Sequence, residues 1–246
     1  MLVTIIDKEM RRLEVETLQA ARDFSASKEK EKVVVLLSGG MDSTTLLYYV
    51  KAKGFDVYVV NFFYGQKHKK EIYAAWKTCD NLGVPYNTFD LEILGKIAPS
   101  ALTRDTIDIP KGHYAEESMR ATVVPNRNMV LLSLAVSYAI GIGAKSVWYG
   151  AHGGDHAIYP DCRPEFILRM GEVIRVCDWS PMRLEVPFML MSKAMILKEG
   201  IKLGVDYSMT TTCYEGREKA CGRCGSCVER LEAFQQNNIK DPLRYE

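Results

Sequence analysis

The stretch Val33-Val34-Val35-Leu36-Leu37-Ser38-Gly39-Gly40-Met41-Asp42-Ser43-Thr44-Thr45 decides the fold of this chain. Its apolar opening, rich in β-branched residues, predicts a short strand buried on both faces, which Ser38-Gly39-Gly40 then breaks. Beyond the glycines, Met41, Leu46, Leu47 and Val50 recur at helical spacing, so the turn joins a strand to the N-terminus of a helix. Two glycines let the backbone approach a ligand closely, and the first-turn N–H groups and helix dipole favour negative charge there. Ser38, Ser43 and Thr44 add hydroxyl donors. The loop is not a Walker P-loop, because the four-residue spacer and the Gly-Lys-Ser/Thr ending are missing. Asp42 inside an anion loop would repel phosphate unless a cation such as Mg²⁺ lay between them. A plain turn is the competing reading of Ser-Gly-Gly; the order strand, Ser-Gly-Gly-x-Asp-Ser, helix favours a loop for phosphates and a metal ion.

Working outward, alternation of strands and helices continues. Phe55–Phe63 reads as a second buried strand, Lys70–Leu82 as a helix and Val84–Phe89 as a third strand. Asn126–Ile142 reads as a largely buried helix and Lys145–Tyr149 as a fourth strand ending at Gly150. Further helices are expected over residues 165–176 and from Ser192-Lys193 to Leu203. This pattern predicts an α/β fold, a doubly wound, mostly parallel, Rossmann-like sheet. Ligands of such sheets sit beyond the carboxyl ends of the strands, so residues 38–43, 61–68 and 150–155 should face one crevice. Residues 95–125 show no clean period and contain Pro99, Pro110, Gly112 and Pro125; they are either a lid or a surface excursion.

The bulk numbers exclude several function classes. At 246 residues, 47% hydrophobic and 26% charged, the chain can bury a full core and is neither disordered nor fibrous. A net charge of +1 argues against a large nucleic-acid footprint and for a small-molecule substrate. Asp7, Glu9, Arg11 and Arg12 interrupt the opening residues, so no signal peptide is expected. Met129–Ile142 is too short for a bilayer span and is broken by Ser133, Ser137 and Gly141. The expectation is a cytoplasmic protein with no membrane partner. Residues 1–30 read as an N-terminal extension, 31–207 as the nucleotide-binding α/β domain and 208–246 as a small C-terminal metal-binding helical region.

Cys213, Cys221, Cys224 and Cys227 are separated by spacers of seven, two and two residues, with Gly216, Gly222 and Gly225 among them. Four thiolates in so short a loop suit a closed tetrahedral Zn²⁺ site, structural because no ligand position is left for water. An iron–sulfur cluster and unrelated reduced thiols are the alternatives. Cys79 and Cys177 read as small hydrophobes, while Cys162 stands in charged company.

Ser38-Gly39-Gly40-Met41-Asp42-Ser43 resembles the loop of the PP-loop ATP pyrophosphatases. Taken with Tyr64-Gly65-Gln66-Lys67-His68, Val124-Pro125-Asn126-Arg127-Asn128, Tyr159-Pro160-Asp161-Cys162-Arg163-Pro164-Glu165-Phe166 and the four-cysteine tail, it resembles the 7-cyano-7-deazaguanine synthase family over about residues 33–243. That resemblance implies an adenine nucleotide alpha hydrolase-like fold, ATP with Mg²⁺ as cosubstrate, one Zn²⁺ per chain and a homodimer. It implies that 7-carboxy-7-deazaguanine and ammonia become the nitrile, since adenylation turns a poor electrophile into a mixed anhydride and a second ATP dehydrates the amide. Leu36, Leu37, Ser38, Gly39, Gly40, Met41, Asp42, Ser43, Thr44 and Thr45 would then form the nucleotide loop. Asp42 and Ser43, with Arg127 and Lys193 to neutralise the departing pyrophosphate, would be catalytic. Tyr64, Gln66, His68, Asp155, Tyr159, Asp161, Arg163 and Glu165 would meet the substrate; Arg163 contacts either the base or the carboxylate. The run Ala151-His152-Gly153-Gly154-Asp155-His156 is richer in glycine and histidine than expected of the family. A relative that stops at the amide or acylates another amine, or a zinc-bearing nucleotide- or RNA-binding module, are the competing functions.

Overall fold

Strand β1, Lys32–Leu36, occupies the middle of a five-stranded sheet in a computed structural model that describes residues 30–113, 117–154 and 158–246. The expected N-terminal extension, apart from Lys30, lies outside the described residues. The period-two geometry of a strand sends Val33, Val35 and Leu37 to one face and Val34 and Leu36 to the other. Both faces are covered by helices, which is why the run carries no polar alternation.

Helix α1, Met41–Ala52, follows directly; β2, Asp56–Phe63, returns beside β1 with Val33 opposite Val57. Helix α2, Lys70–Leu82, ends on Gly83 in the left-handed conformation and leads into β3, Tyr86–Asp90. A short helix α3, Glu92–Ile97, precedes α4, Arg127–Gly141, and β4, Ser146–Trp148, which pairs with the opposite edge of β1. Helix α5, Pro164–Arg175, and β5, Arg183–Glu185, complete the sheet. All pairings are parallel and the strand order is β3-β2-β1-β4-β5. The chain steps outward from β1 to β3, then crosses to β4, placing the topological switch point between β1 and β4.

One helical layer brings Leu46, Leu47 and Val50 of α1 and Ala75 and Cys79 of α2 against the sheet. The other brings Leu132, Ala135, Val136 and Ala139 of α4 and Met170 and Ile174 of α5. The doubly wound expectation is thereby met. Strand β5 has no counterpart in the sequence reading: three residues, Arg183-Leu184-Glu185, are too short and too charged to register as a strand. The aperiodic stretch after β3 is also more ordered than its sequence suggests. Ala101, Leu102 and Met119 are fully buried, and the Lys67 N–H donates to the Leu102 carbonyl, pinning this segment over the tip of β2.

Helix α6, Lys193–Lys202, starts where the Ser192 hydroxyl accepts the Met195 N–H. It packs with α7, Gly225–Gln236, over α1 through Met41, Leu197, Val205, Ala233 and Phe234. A Cβ on Gly200 would come within 1.8 Å of the Tyr207 hydroxyl, so only glycine lets that ring close on Thr45, whose hydroxyl it meets at 2.7 Å. Arg230 of α7 is fully buried. Its guanidinium donates to both oxygens of Asp241 at 2.7 and 3.0 Å, to Thr210 Oγ1 at 2.6 Å and to the Tyr207 carbonyl at 2.9 Å. Among the described residues no helix is long and apolar enough to cross a membrane.

Candidate active site

The crevice opens at the carboxyl ends of β1, β2 and β4, as the topology requires. Its floor is the loop after β1. Ser38 Oγ and Ser43 Oγ lie 2.9 Å apart, and Ser38 Oγ accepts the Gly40 N–H at 3.2 Å. Gly39 has φ +95°, and a Cβ there would sit 2.0 Å from the Glu71 carbonyl of α2. Helix α2 therefore presses directly on the loop. From the other side the Thr211 N–H donates to the Gly39 carbonyl at 3.1 Å.

Asp42, in the first turn of α1, is the electrostatic centre. Its Oδ2 lies 3.2 Å from Lys193 Nζ and 3.5 Å from His152 Nε2. His152 Nδ1 accepts the Gly154 N–H at 3.0 Å, so Nε2 carries the proton that points at Asp42. Lys193 also donates to Glu229 Oε2 of α7 at 2.6 Å. Burial alone would push the Asp42 carboxyl up, but the adjacent Lys193 and His152 outweigh it and hold the group well below the usual carboxylate range. Asp42 Oδ1 remains buried with no hydrogen-bond partner, an anionic oxygen available to a cation.

A second group of side chains lines the same crevice. Asn126 takes the left-handed conformation, φ +60°, at the start of α4, where asparagine is tolerated better than most residues. Arg127 donates to the Tyr64 hydroxyl at 3.1 Å and lies over the rings of Tyr64 and Tyr159, 5.5 and 5.8 Å from their centroids. Asn128 donates its side-chain amide to Cys162 Sγ at 3.3 Å, and Tyr149 meets the same sulfur at 3.4 Å. Burial, reinforced by Cys162, raises the Tyr149 phenol well above its ordinary range, so it stays protonated.

The positions expected from sequence separate into two groups. Leu36, Leu37, Ser38, Gly40, Asp42, Ser43, Tyr64, Gln66, His68, Arg127, Tyr159 and Lys193 line the crevice. Gly39, Met41, Thr44 and Thr45 lie behind it; Met41 and Thr45 are packed against α6, α7 and Tyr207. Gln66 is occupied by the backbone of its own turn, accepting the Tyr64 N–H and donating to the Phe62 carbonyl. Asp161 is not among the lining residues, its Oδ2 accepting the Asn128 N–H at the N-terminus of α4, and Arg163 and Glu165 are exposed and outside the crevice. Asp155 lies outside the described residues. Sequence reasoning did not single out Tyr149, Asn128, Glu71 or Glu229. A usable signal existed for Asn61, an amide inside the apolar run Val59-Val60-Asn61-Phe62, which donates to the Leu37 carbonyl at 2.5 Å.

Beside the crevice the sulfurs of Cys213, Cys221, Cys224 and Cys227 all lie within 4.8 Å of one another and are buried. The Cys221 N–H donates to Cys213 Sγ and the Cys224 N–H to Cys221 Sγ, both at 3.3 Å. Hydrogen bonds from neighbouring thiols draw Cys213 down, while the hydrogen bond with Cys213 pushes Cys224 up to about 12. The donor set fits a bound metal ion.

A parallel α/β sheet, a glycine–serine loop at its switch point with a carboxylate–lysine pair, and a buried cluster of four cysteines able to hold a metal ion define an α/β protein with a crevice suited to a nucleotide. Residues 32–238 match the family model described as "Queuosine biosynthesis protein QueC". The 7-cyano-7-deazaguanine synthase of Methanoregula boonei is 58% identical, spanning 87% of this chain and 99% of that protein. The protein of the same name from Marinobacter nauticus is 57% identical over 88% of this chain and 98% of its own length. Among solved structures, NMN synthetase from Francisella tularensis shows 10% identity and a TM-score of 0.47, covering 88% of this chain and 80% of that one. The chain belongs to the QueC family.

Proposed function

We propose that this chain is an ATP-dependent ligase with 7-cyano-7-deazaguanine synthase activity, converting 7-carboxy-7-deazaguanine and ammonia to the nitrile. The observation that carries this reading is Asp42 with its free Oδ1, set inside the anion loop and held by Lys193. A carboxylate in a phosphate loop is useful only with a cation, and an ATP-Mg²⁺ complex supplies one. The ion would be held at Asp42 and would draw charge off the phosphates. Ser38, Gly40 and Ser43 orient the triphosphate, and Lys193 stays cationic beside the departing pyrophosphate.

The substrate carboxylate attacks the α-phosphorus, and pyrophosphate leaves with the electron pair. Ammonia adds to the acyl carbon and AMP departs, leaving the amide. The amide oxygen then attacks the α-phosphorus of a second ATP, pyrophosphate leaves and the nitrogen gives up one of its two protons; loss of the other proton and of AMP forms the C≡N bond. Positioning and charge stabilisation do this work without a covalent enzyme nucleophile. The wall of Tyr64, Tyr149 and Tyr159 around Arg127 suits a flat heteroaromatic base carrying a carboxylate, with Asp161 acting by fixing the start of α4. Arg163 and Glu165 would reach the substrate only through the neighbouring segment.

The cysteine centre is read as structural Zn²⁺, one per chain, because the chain fills every ligand position and the reaction transfers no electrons. Small-molecule substrates, a homodimer, no stable nucleic-acid partner and a cytoplasmic setting complete the proposal. The test is incubation with ATP, Mg²⁺, ammonium and 7-carboxy-7-deazaguanine followed by product mass. A product one water lighter than the amide supports the proposal. Accumulation of the amide alone reassigns the ending, and absence of carboxylate-dependent AMP overturns the reading.

A further inference from the structure

His68 and Glu71 form a buried dyad against the crevice that the reaction outlined above leaves unused. His68 lies one residue before the cap of α2 and Glu71 in that helix's first turn, a spacing of three that stacks the two side chains. His68 Nε2 is 3.0 Å from Glu71 Oε2; their side chains are 4% and 13% exposed. A carboxylate accepts only, so Nε2 carries the proton, and Nδ1 presents a lone pair. That Nδ1 is buried and has no hydrogen-bond partner. An imidazole held in one tautomer by a carboxylate, with its other nitrogen unclaimed, is the arrangement of a general base.

The dyad is fixed relative to the phosphate loop. Both residues line the crevice. A Cβ on Gly40 would be 4.0 Å from Glu71 Oε1, and α2 touches Gly39 through the Glu71 carbonyl. Opposite, the ring of Tyr214 stands 5.8 Å from that of His68, and a Cβ on Gly216 would come within 2.9 Å of His68 Cα. His68 is therefore clamped between the loop helix and the segment that carries the cysteines.

We propose that His68 is the catalytic base of the amination step and that Glu71 orients it. This rests on the ligase reading. As the ammonia lone pair forms the C–N bond to the acyl carbon of the adenylate, the nitrogen becomes cationic. His68 Nδ1 takes one proton from it. The tetrahedral adduct then collapses, the C–O bond to phosphate breaks, and AMP leaves with the electron pair, giving the neutral amide and an imidazolium that later returns its proton to solvent.

Two partial reactions separate this step from the one before it. Carboxylate-dependent exchange of labelled pyrophosphate into ATP reports adenylation alone; amide formation reports adenylation and amination. In His68→Asn, with ATP and the carboxylated base saturating, ammonia-dependent turnover should fall roughly 10²–10⁴-fold and the maximal rate of exchange at least tenfold less than that. Hydroxylamine, largely unprotonated at neutral pH and a stronger nucleophile, should recover hydroxamate formation to within about tenfold. Glu71→Gln, which keeps a hydrogen-bond acceptor for Nε2–H, should lose about tenfold with ammonia and leave exchange unchanged. Retained exchange also shows that each variant is folded. Parallel loss of exchange and amination in both variants, or undiminished ammonia turnover in His68→Asn, would overturn the assignment. Absence of exchange in the wild-type protein would instead remove the ligase reading itself.

Discussion

Replacing Asp241 by Asn tests what holds the cysteine-bearing segment against the nucleotide loop. Arg230 is fully buried and its strongest partner is the Asp241 carboxylate, contacted twice; Tyr245 donates to the same carboxylate at 2.5 Å. Asn preserves shape but leaves the guanidinium without its counter-charge in a low-dielectric site. Breaking a buried pair from one side costs about 3–5 kcal/mol. For a body of the size of Glu31–Glu246, each kcal/mol moves the melting temperature by roughly 2–4 °C, so the lower end of that cost predicts a fall of about 6–12 °C. The double variant Arg230→Met with Asp241→Leu removes both charges together and should melt higher than Asp241→Asn. The pH dependence follows from the same pair. Burial would raise the Asp241 carboxyl, but Arg230 and Tyr245 outweigh it and hold it below its ordinary value of 3.8. The folded value is the lower one, so the stabilisation is complete above about pH 4 and drains away as pH falls toward the depressed folded value. Asp241→Asn should flatten that acid limb. Calorimetric or fluorescence melts from pH 3 to 8 decide it. A variant melting within about 1 °C of wild type, with an unchanged acid limb, would refute the reasoning.

Gly39→Ala should cost roughly 2–4 kcal/mol and abolish nucleotide exchange, because the new Cβ meets the Glu71 carbonyl at 2.0 Å and the backbone sits at φ +95°; chemical denaturation and the exchange assay measure it. Lys193→Met leaves Asp42 and Glu229 without the cation between them, and both a fall of about 3 kcal/mol in stability and a 10²–10³-fold fall in adenylation are expected. Elemental analysis should find one zinc per chain. Chelation should then expose four further thiols to a colorimetric reagent. Exposed Cys177 reacts before chelation, and Cys79, whose thiol burial pushes up to about 12, reacts only on unfolding.

What could be read along the chain was whatever local chemistry encodes. A β-branched run, a Ser-Gly-Gly turn and an apolar helical stripe specify β1, the loop and α1 within a few residues of one another. Four cysteines specify their own cluster by spacing alone, since a short loop with glycines brings any such sulfurs together. The crevice itself followed from alternation, because parallel strands oblige their carboxyl ends to share one edge. Partnerships between distant residues were not legible. Nothing around Glu229 shows that it will hold Lys193, 36 positions away, nor that His152 will turn its Nε2 toward Asp42. Arg230 looks like an ordinary helix charge and is in fact buried with Asp241. Asp161, prominent in its motif, caps α4, whereas its neighbour Cys162 faces the crevice. Backbone propensity and spacing act over a few residues and are written in sequence. Which side chain finds which depends on how whole layers pack, and only the assembled sheet and its helices determine that.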